Sequence, residues 1–315
     1  MTPAETRRQF LLGAAAALAA CACSSATTPP AAPSSMTSVA ASPLGPAAVV
    51  SADIPLALTP IEQKTGGRLG VYALNVETGK VLEHRAEERF AMCSTFKWLL
   101  AAQLLTRVDA AELKLDERIK YGSADLLEYA PTAKEHLNDG SMTLEELARA
   151  AVTVSDNTAT NLLLAKLGGP HSLTQFALSL ADVVTRLDRN EPSLNTNEPN
   201  DPRDTTTPRA MVELMHQVLL GRVLAPASRE RLLGWMRACE TGKNRLRAGL
   251  PADWSVGDKT GTGENGACND VALVLPASHG SILIACYISE AKAPLQILES
   301  AHADVAREVA RSLKA

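Results

Sequence analysis

Aromatic residues make up only 3% of the 315-residue chain, so any core must be built mainly from Leu, Val, Ile and Ala. Neither sign of charge is in large excess. With 31 Lys and Arg against 35 Asp and Glu the net charge is −4, which gives no electrostatic footprint for nucleic acid or acidic lipid. The N-terminal apolar run from Leu11 to Ala20 is ten residues long, too short to span a bilayer as a permanent helix. Cysteine is sparse. Beyond the N-terminal region only Cys93, Cys239, Cys268 and Cys286 remain, none with the spacing of a metal site. Four cysteines allow three pairings among which sequence does not choose, and Cys286, inside an apolar run, reads as a small buried hydrophobe. No metal or cofactor is called for. What is present, 46% hydrophobic residues, suits one large globular unit or two small ones.

The first 53 residues stand apart. The pair Arg7-Arg8 followed by Phe10-Leu11 and the short apolar run reads as an export signal and resembles a twin-arginine leader, which would mean export after folding. Leu18-Ala19-Ala20-Cys21 looks like a lipoprotein processing site with Cys21 as the lipid-bearing residue; the alternative is an ordinary cleavage site with an incidental cysteine. Residues 22–53, rich in Ala, Pro, Ser and Thr, form a tether that cannot bury a core. The organisation is therefore an export signal (1–21), a tether (22–53) and a working domain (54–315) outside the cytoplasm. That domain is periplasmic or at the cell surface, held to a membrane through Cys21.

Within that domain a helix from about Leu56 stops at Lys64-Thr65-Gly66-Gly67, with lysine in the last turn and glycine beyond it. A hairpin follows, turning at Glu77-Thr78-Gly79-Lys80. From Ser94 to about Arg247 apolar residues recur at three and four, as helices require; one helix, Thr158 to Leu167, stops at Gly168-Gly169-Pro170. Three strands follow (Trp254–Thr262, Asp270–Leu275, Ser281–Ile288), and then a helix with Leu295, Leu298, Val305, Val309 and Leu313 on one face. The order predicts an α/β fold. Strands from both ends form one five-stranded antiparallel sheet carrying the terminal helices (54–93 and 248–315), and residues 94–247 are inserted as a mainly helical lobe. A cleft between the lobes is the expected site.

Three short motifs occur twice each, and position separates signal from decoy. Ser-x-x-Lys occurs at Ser94–Lys97 and Ser289–Lys292, Ser-x-Asn at Ser155–Asn157 and Ser193–Asn195, Lys-Thr-Gly at 64–66 and 259–261. The early Lys-Thr-Gly is a helix terminus, and Ser289 has too little chain after it to hold the other two elements. The ordered set is Ser94-Thr95-Phe96-Lys97, Ser155-Asp156-Asn157 and Lys259-Thr260-Gly261, 61 and 104 residues apart. A serine hydroxyl needs a base to accept its proton, and a buried lysine one turn away has its pKa lowered toward that task. Taken alone, Ser155-Asp156 also reads as a helix cap before Thr158.

With these motifs in this order, the chain from about Ile54 to its C-terminus resembles the class A serine β-lactamases, within the penicillin-recognising serine enzymes. The resemblance implies that family's two-lobed β-lactamase/transpeptidase-like fold and hydrolysis of β-lactam antibiotics, with no cofactor and as a monomer. It makes Ser94 the nucleophile and Lys97 its proton partner, with the N–H groups of Ser94 and Thr262 as oxyanion hole. Ser155 becomes the proton relay to the leaving nitrogen, with Lys259 beside it, and Asn157 the holder of the substrate's side-chain amide. Lys259, Thr260, Gly261 and Thr262 line the substrate, and Tyr129 is an aromatic of the cleft wall. Cys268 stands where many relatives carry a carboxylate-binding arginine; Arg245 matches an alternative arginine of other members, against the bland reading of an exposed arginine between Lys243 and Arg247. Some carbapenem-hydrolysing relatives bridge the cysteine at position 93 to a residue standing at 263, which here is Gly263.

The three motifs are shared with penicillin-binding proteins, which can remain acylated. The discriminating stretch is "LDRNEPSLNTNEPNDPRDTTTP", Leu187 to Pro208, an irregular Ω-like loop rich in Asn, Asp and Pro. Its Glu191-Pro192-Ser193-Leu194-Asn195 matches the family's Glu-x-x-Leu-Asn element. By resemblance Glu191 activates the deacylating water, Asn195 orients it, the Glu191-Pro192 bond is cis, and Arg189 and Asp204 form the ion pair at the neck of the loop. A cell-wall peptidase and a non-hydrolytic β-lactam sensor are the competing readings, and Glu191 with Asn195 argues against both.

Overall fold

The computed structural model describes residues 54–277 and 280–313; the leader pair Arg7-Arg8 and the candidate lipidation residue Cys21 lie outside them. Numbering the longer elements in chain order, helix α1 (Ile54–Thr65) leads into strands β1 (Arg68–Asn75) and β2 (Val81–His84). Then come helices α2 (Lys97–Asp109), α3 (Leu144–Thr153), α4 (Asn157–Leu167), α5 (Pro170–Ser179), α6 (Pro208–Met215) and α7 (Pro226–Arg237). Strands β3 (Ser255–Thr262), β4 (Cys268–Leu275) and β5 (Ile282–Ser289) and helix α8 (Leu295–Leu313) close the chain.

The five strands form one sheet in the order β2-β1-β5-β4-β3, each neighbouring pair antiparallel. Side chains alternate faces along a strand, and both faces of this sheet are buried. On β5, Ile282, Ile284, Cys286 and Ile288 join a core with Leu58, Leu298, Val305 and Val309 of the terminal helices. The intervening Leu283, Ala285 and Tyr287 join a second core with Leu99, Leu147 and Leu163 of the inserted helices. Strands read from near-continuous apolar runs are thus sorted by parity into two layers.

Local signals place the helices. Thr143 and Glu146 form a reciprocal capping box at the head of α3. Asp156 caps α4 by accepting the Ala159 N–H at 2.8 Å, and Gly168, at φ 102°, ends it.

Sequence periodicity missed some detail. β4 begins at Cys268, not Asp270, because Cys268 pairs with both Thr262 and Ile288. The segment 94–247 also holds short strands, of which Arg118–Lys120 pairs with Ser141–Thr143 and Thr205–Thr206 with Phe90–Ala91. Strands of two or three residues carry no readable alternation. All four cysteines in the described residues are free and buried. No helix among the described residues is long and apolar enough to cross a membrane.

Candidate active site

Ser94 does not head an α-helix. It lies in a 3-10 turn, Cys93–Phe96, and α2 begins at Lys97. The Thr95 hydroxyl closes that turn by donating to Met92 O at 2.8 Å. Strand β3 runs against the turn closely enough to exclude a side chain at Gly261: a Cβ there would sit 2.7 Å from Met92 O and 3.1 Å from Ser94 N. The backbone N–H of Ser94 and the end of β3 are thereby brought side by side.

The inner end of the site holds two buried lysines. Lys97 Nζ reaches Glu191 Oε1 at 2.9 Å, Ser155 O at 2.9 Å, Ser155 Oγ at 3.3 Å and Asn157 Oδ1 at 2.6 Å. Lys259 Nζ donates to Ser155 Oγ at 3.1 Å and Thr260 O at 2.8 Å. Ser155, in a left-handed conformation (φ 60°), thus sets its hydroxyl between two ammonium groups. Burial pushes the Lys97 pKa down while the Glu191 carboxylate opposes the shift. Burial likewise lowers Lys259 to about 8, with the Lys97 charge adding to the shift.

Glu191 completes the cluster from the loop. Its Oε1 accepts from Ser94 Oγ at 3.2 Å as well as from Lys97, so the carboxylate joins the serine and the lysine that the sequence pairs directly. Its Oε2 accepts from Asn195 Nδ2 at 2.5 Å, and Asn195 Oδ1 is buried without a partner among the described residues. The Glu191-Pro192 peptide is cis. Asn161, which sequence reading did not single out, grips this residue at both ends: its Oδ1 accepts from Glu191 N at 3.0 Å and its Nδ2 donates to Glu191 O at 2.9 Å. Only its place is legible in the sequence: Asn161 lies one helical turn after Asn157 on α4, and its partnership with Glu191, 30 residues on, comes with the fold.

The neck of the loop closes as expected, with Arg189 Nε donating to Asp204 Oδ2 at 2.5 Å. Asp204 Oδ1 also accepts the N–H groups of Asp188 and Arg189 at 2.7 and 2.9 Å. Asp204 O accepts from Met92 N at 2.9 Å, so the neck is tied to the turn that carries Ser94, and Asn195 O accepts from Glu264 N at 2.8 Å, which ties the loop to the residues after β3.

On the outer side, Arg245 is buried rather than exposed, which removes the bland reading of it. Nη1 donates to Gly261 O and Asn269 O at 2.8 and 2.7 Å, and Nη2 donates to Thr262 Oγ1 at 2.6 Å. Thr262 itself is exposed. Thr260 Oγ1 lies 2.5 Å from Thr241 Oγ1, a second partner that the motifs do not announce. Tyr129 is half-exposed, bonds Val154 O through its hydroxyl at 3.1 Å, and accepts the Asn157 N–H on its carbonyl at 3.0 Å.

A serine hydroxyl, two lysines with lowered pKa, a carboxylate–amide pair and a backbone N–H beside a strand end form one contiguous cluster with the parts that acyl transfer needs. Residues 56–313 match the model of the β-lactamase enzyme family. The chain belongs to the class A β-lactamases. It is 46% identical over 233 residues to β-lactamase CTX-M-97 of Escherichia coli, covering 74% of this chain and 80% of the relative. It is 43% identical over the same length to β-lactamase OXY-2 of Klebsiella oxytoca, with the same coverage. An ancestral class A β-lactamase superposes with a TM-score of 0.81 at 50% identity, covering 82% of this chain and 99% of the other. The reconstructed last common ancestor of the Gram-negative enzymes reaches 0.82 at 53% identity, covering 83% and 100%. For a class A β-lactamase, the five-stranded sheet and the inserted helices are the expected fold.

Proposed function

We propose that this class A enzyme opens the β-lactam amide through a Ser94 ester and then hydrolyses that ester with water. The Ser94 oxygen adds to the lactam carbonyl while its proton passes to the Lys97–Glu191 pair, and the oxyanion is met by the N–H groups of Ser94 and Thr262. The C–N bond breaks as Ser155 hands a proton to the nitrogen, replenished from the lysines on either side of its hydroxyl. In the second half Glu191 takes a proton from a water that attacks the ester, and Asn195, whose Oδ1 is an open acceptor, orients that water. Asn157 and the β3 residues Lys259, Thr260, Gly261 and Thr262 hold the substrate, its carboxylate against Lys259 and the hydroxyls. Arg245 polarises the Thr262 hydroxyl from behind, and Tyr129 packs along the cleft wall.

The observation that carries this reading is Glu191: one oxygen within hydrogen-bond distance of both Ser94 and Lys97, the other on Asn195. A non-hydrolytic penicillin binder has no use for that arrangement. The domain is read as an exported monomer, 54–93 with 248–315 forming the α/β lobe and 94–247 the helical lobe, tethered through residues 22–53 to a lipid on Cys21.

The test follows benzylpenicillin by intact mass and ring-opening absorbance in wild type and Glu191→Ala. Rapid turnover by wild type with a trapped adduct in the variant is expected. A stable adduct already in wild type would make the protein a penicillin-binding or sensing protein.

A further inference from the structure

The loop that carries Glu191 and Asn195 has a second side. Behind residues 196–203 lies a cavity of about 540 Å³, a size typical of small-molecule sites. Its wall carries four arginines and four carboxylates. Ion pairing accounts for three of each. Arg68 bonds Glu88 at 3.0 Å and Glu290 at 2.9 Å, with its guanidinium 4.6 Å from the centre of the Phe90 ring. Asp201 takes Arg203 at 2.7 Å and lies 4.0 Å from Arg189.

One group of each sign is left over. Arg89 donates through Nη1 alone, to Val184 O at 2.8 Å and Thr205 Oγ1 at 3.0 Å, which leaves its Nε–Nη2 edge without an acceptor among the described residues. The Glu198 carboxylate has no cationic partner among the described residues, and both side chains belong to exposed residues of the cavity wall.

We propose that this cavity binds a small zwitterion of the amino-acid or short-peptide class, its carboxylate on Arg89 and its ammonium on Glu198. The open Nε–Nη2 edge of a guanidinium is the fork that takes a carboxylate through two parallel hydrogen bonds. A ligand carrying one charge meets only one of these groups, whereas a net-neutral ligand with separated charges meets both at once. The groups are solvent-facing, so the affinity is modest, with a Kd of about 1–10 mM. Arg189 and Asn197 also line the cavity. Arg189 closes the loop neck, and Asn197 ties the loop to Glu264 O and Asn265 O and accepts the Ser289 hydroxyl. A bound zwitterion therefore braces the catalytic loop from behind. This site does not depend on the catalytic reading of Glu191.

The experiment is a chemical-shift titration of the whole protein with alanine and dialanine, with acetate and methylammonium as single-charge controls and hydrogen exchange read over residues 196–204. Saturable binding of the zwitterions is expected, with slower exchange in that segment and single-charge controls bound at least about tenfold more weakly. Arg89→Gln and Glu198→Gln should each weaken zwitterion binding about tenfold while benzylpenicillin turnover stays within twofold of wild type. Among the described residues the exposed Glu198 side chain makes no hydrogen bond or ion pair, so its variant reads the site with little risk of a folding defect. Absence of saturable binding, binding that survives both substitutions, or acetate bound as tightly as alanine would each overturn the proposal.

Discussion

The two lysines around Ser155 are the groups whose protonation matters most at the scale of single residues. Lys259 is held at about 8 by burial, well below the ordinary lysine value of 10.5. Its positive charge is therefore present below pH 8 and lost above it, and with it goes the part proposed for it in holding an anionic substrate. The expected kcat/KM profile for benzylpenicillin falls on the alkaline side with an apparent pKa near 8, through KM more than kcat; in Lys259→Arg the limb should move beyond pH 10. A limb that stays in place would assign it to another group. The stability linkage has the opposite sign. Between about 8 and 10.5 the unfolded chain binds the proton that folded Lys259 has released, so this residue contributes increasing stability as pH rises through that window.

Arg245 shows what motif reading reaches at this scale. Its place in the sequence marked it for the substrate carboxylate, but its burial and three acceptors on Gly261, Asn269 and Thr262 came only with the fold. Arg245→Ala is expected to raise KM for benzylpenicillin about tenfold with kcat within about twofold, and Arg245→Lys should fail to restore it because one ammonium cannot serve that fork. An unchanged KM would remove Arg245 from substrate binding.

Among the elements, the loop from Leu187 to Pro208 concentrates the irregular geometry. Asn197, Asn200 and Asp204 all have positive φ, with Asn and Asp at the positions where such backbone is most tolerated. That much was legible, because Asn, Asp and Pro density marks irregular backbone and a Glu-x-x-Leu-Asn element stands out within it. The supports were not. The two-residue ladder between Phe90–Ala91 and Thr205–Thr206 has no periodicity, and Asn161 acts from a helix far away in sequence. Asp204→Ala removes the acceptor of three donors and leaves Arg189 with Thr196 and the more distant Asp201, at a cost of about 3 kcal/mol. Urea unfolding should show that loss, and trypsin should cut after Arg203 faster than in wild type. Asn161→Ala leaves the ion pair alone and frees both ends of Glu191, so deacylation should slow with a smaller stability loss of about 1–2 kcal/mol. A burst of product followed by slow turnover would be its signature; an unchanged steady state would show that the loop holds Glu191 without Asn161.

At the scale of the described residues, a five-stranded sheet stands between two apolar layers, and stability should reflect that shared wall. Strand order along the chain was enough to foresee a sheet built from both ends, because an inserted helical block leaves the flanking strands only each other to pair with. The layer each residue joins follows from parity once the register is known. Leu298 of α8 belongs to the layer with Leu58 and Ile284, and Leu147 of α3 to the layer with Leu99 and Tyr287. Each leucine is buried, so truncation to alanine should cost about 2–5 kcal/mol. The two sites share no neighbours in these layers, so the double variant should lose the sum of the single losses within about 0.5 kcal/mol. The test of cooperativity lies in the transitions. Because β1, β4 and β5 supply side chains to both layers, melting either layer strips one face of the same strands, and far-ultraviolet and near-ultraviolet signals should unfold together in both single variants. An early, separate transition in Leu147→Ala would instead mean that the inserted helices can melt while the sheet and terminal helices stand, and the site would then be lost before the fold.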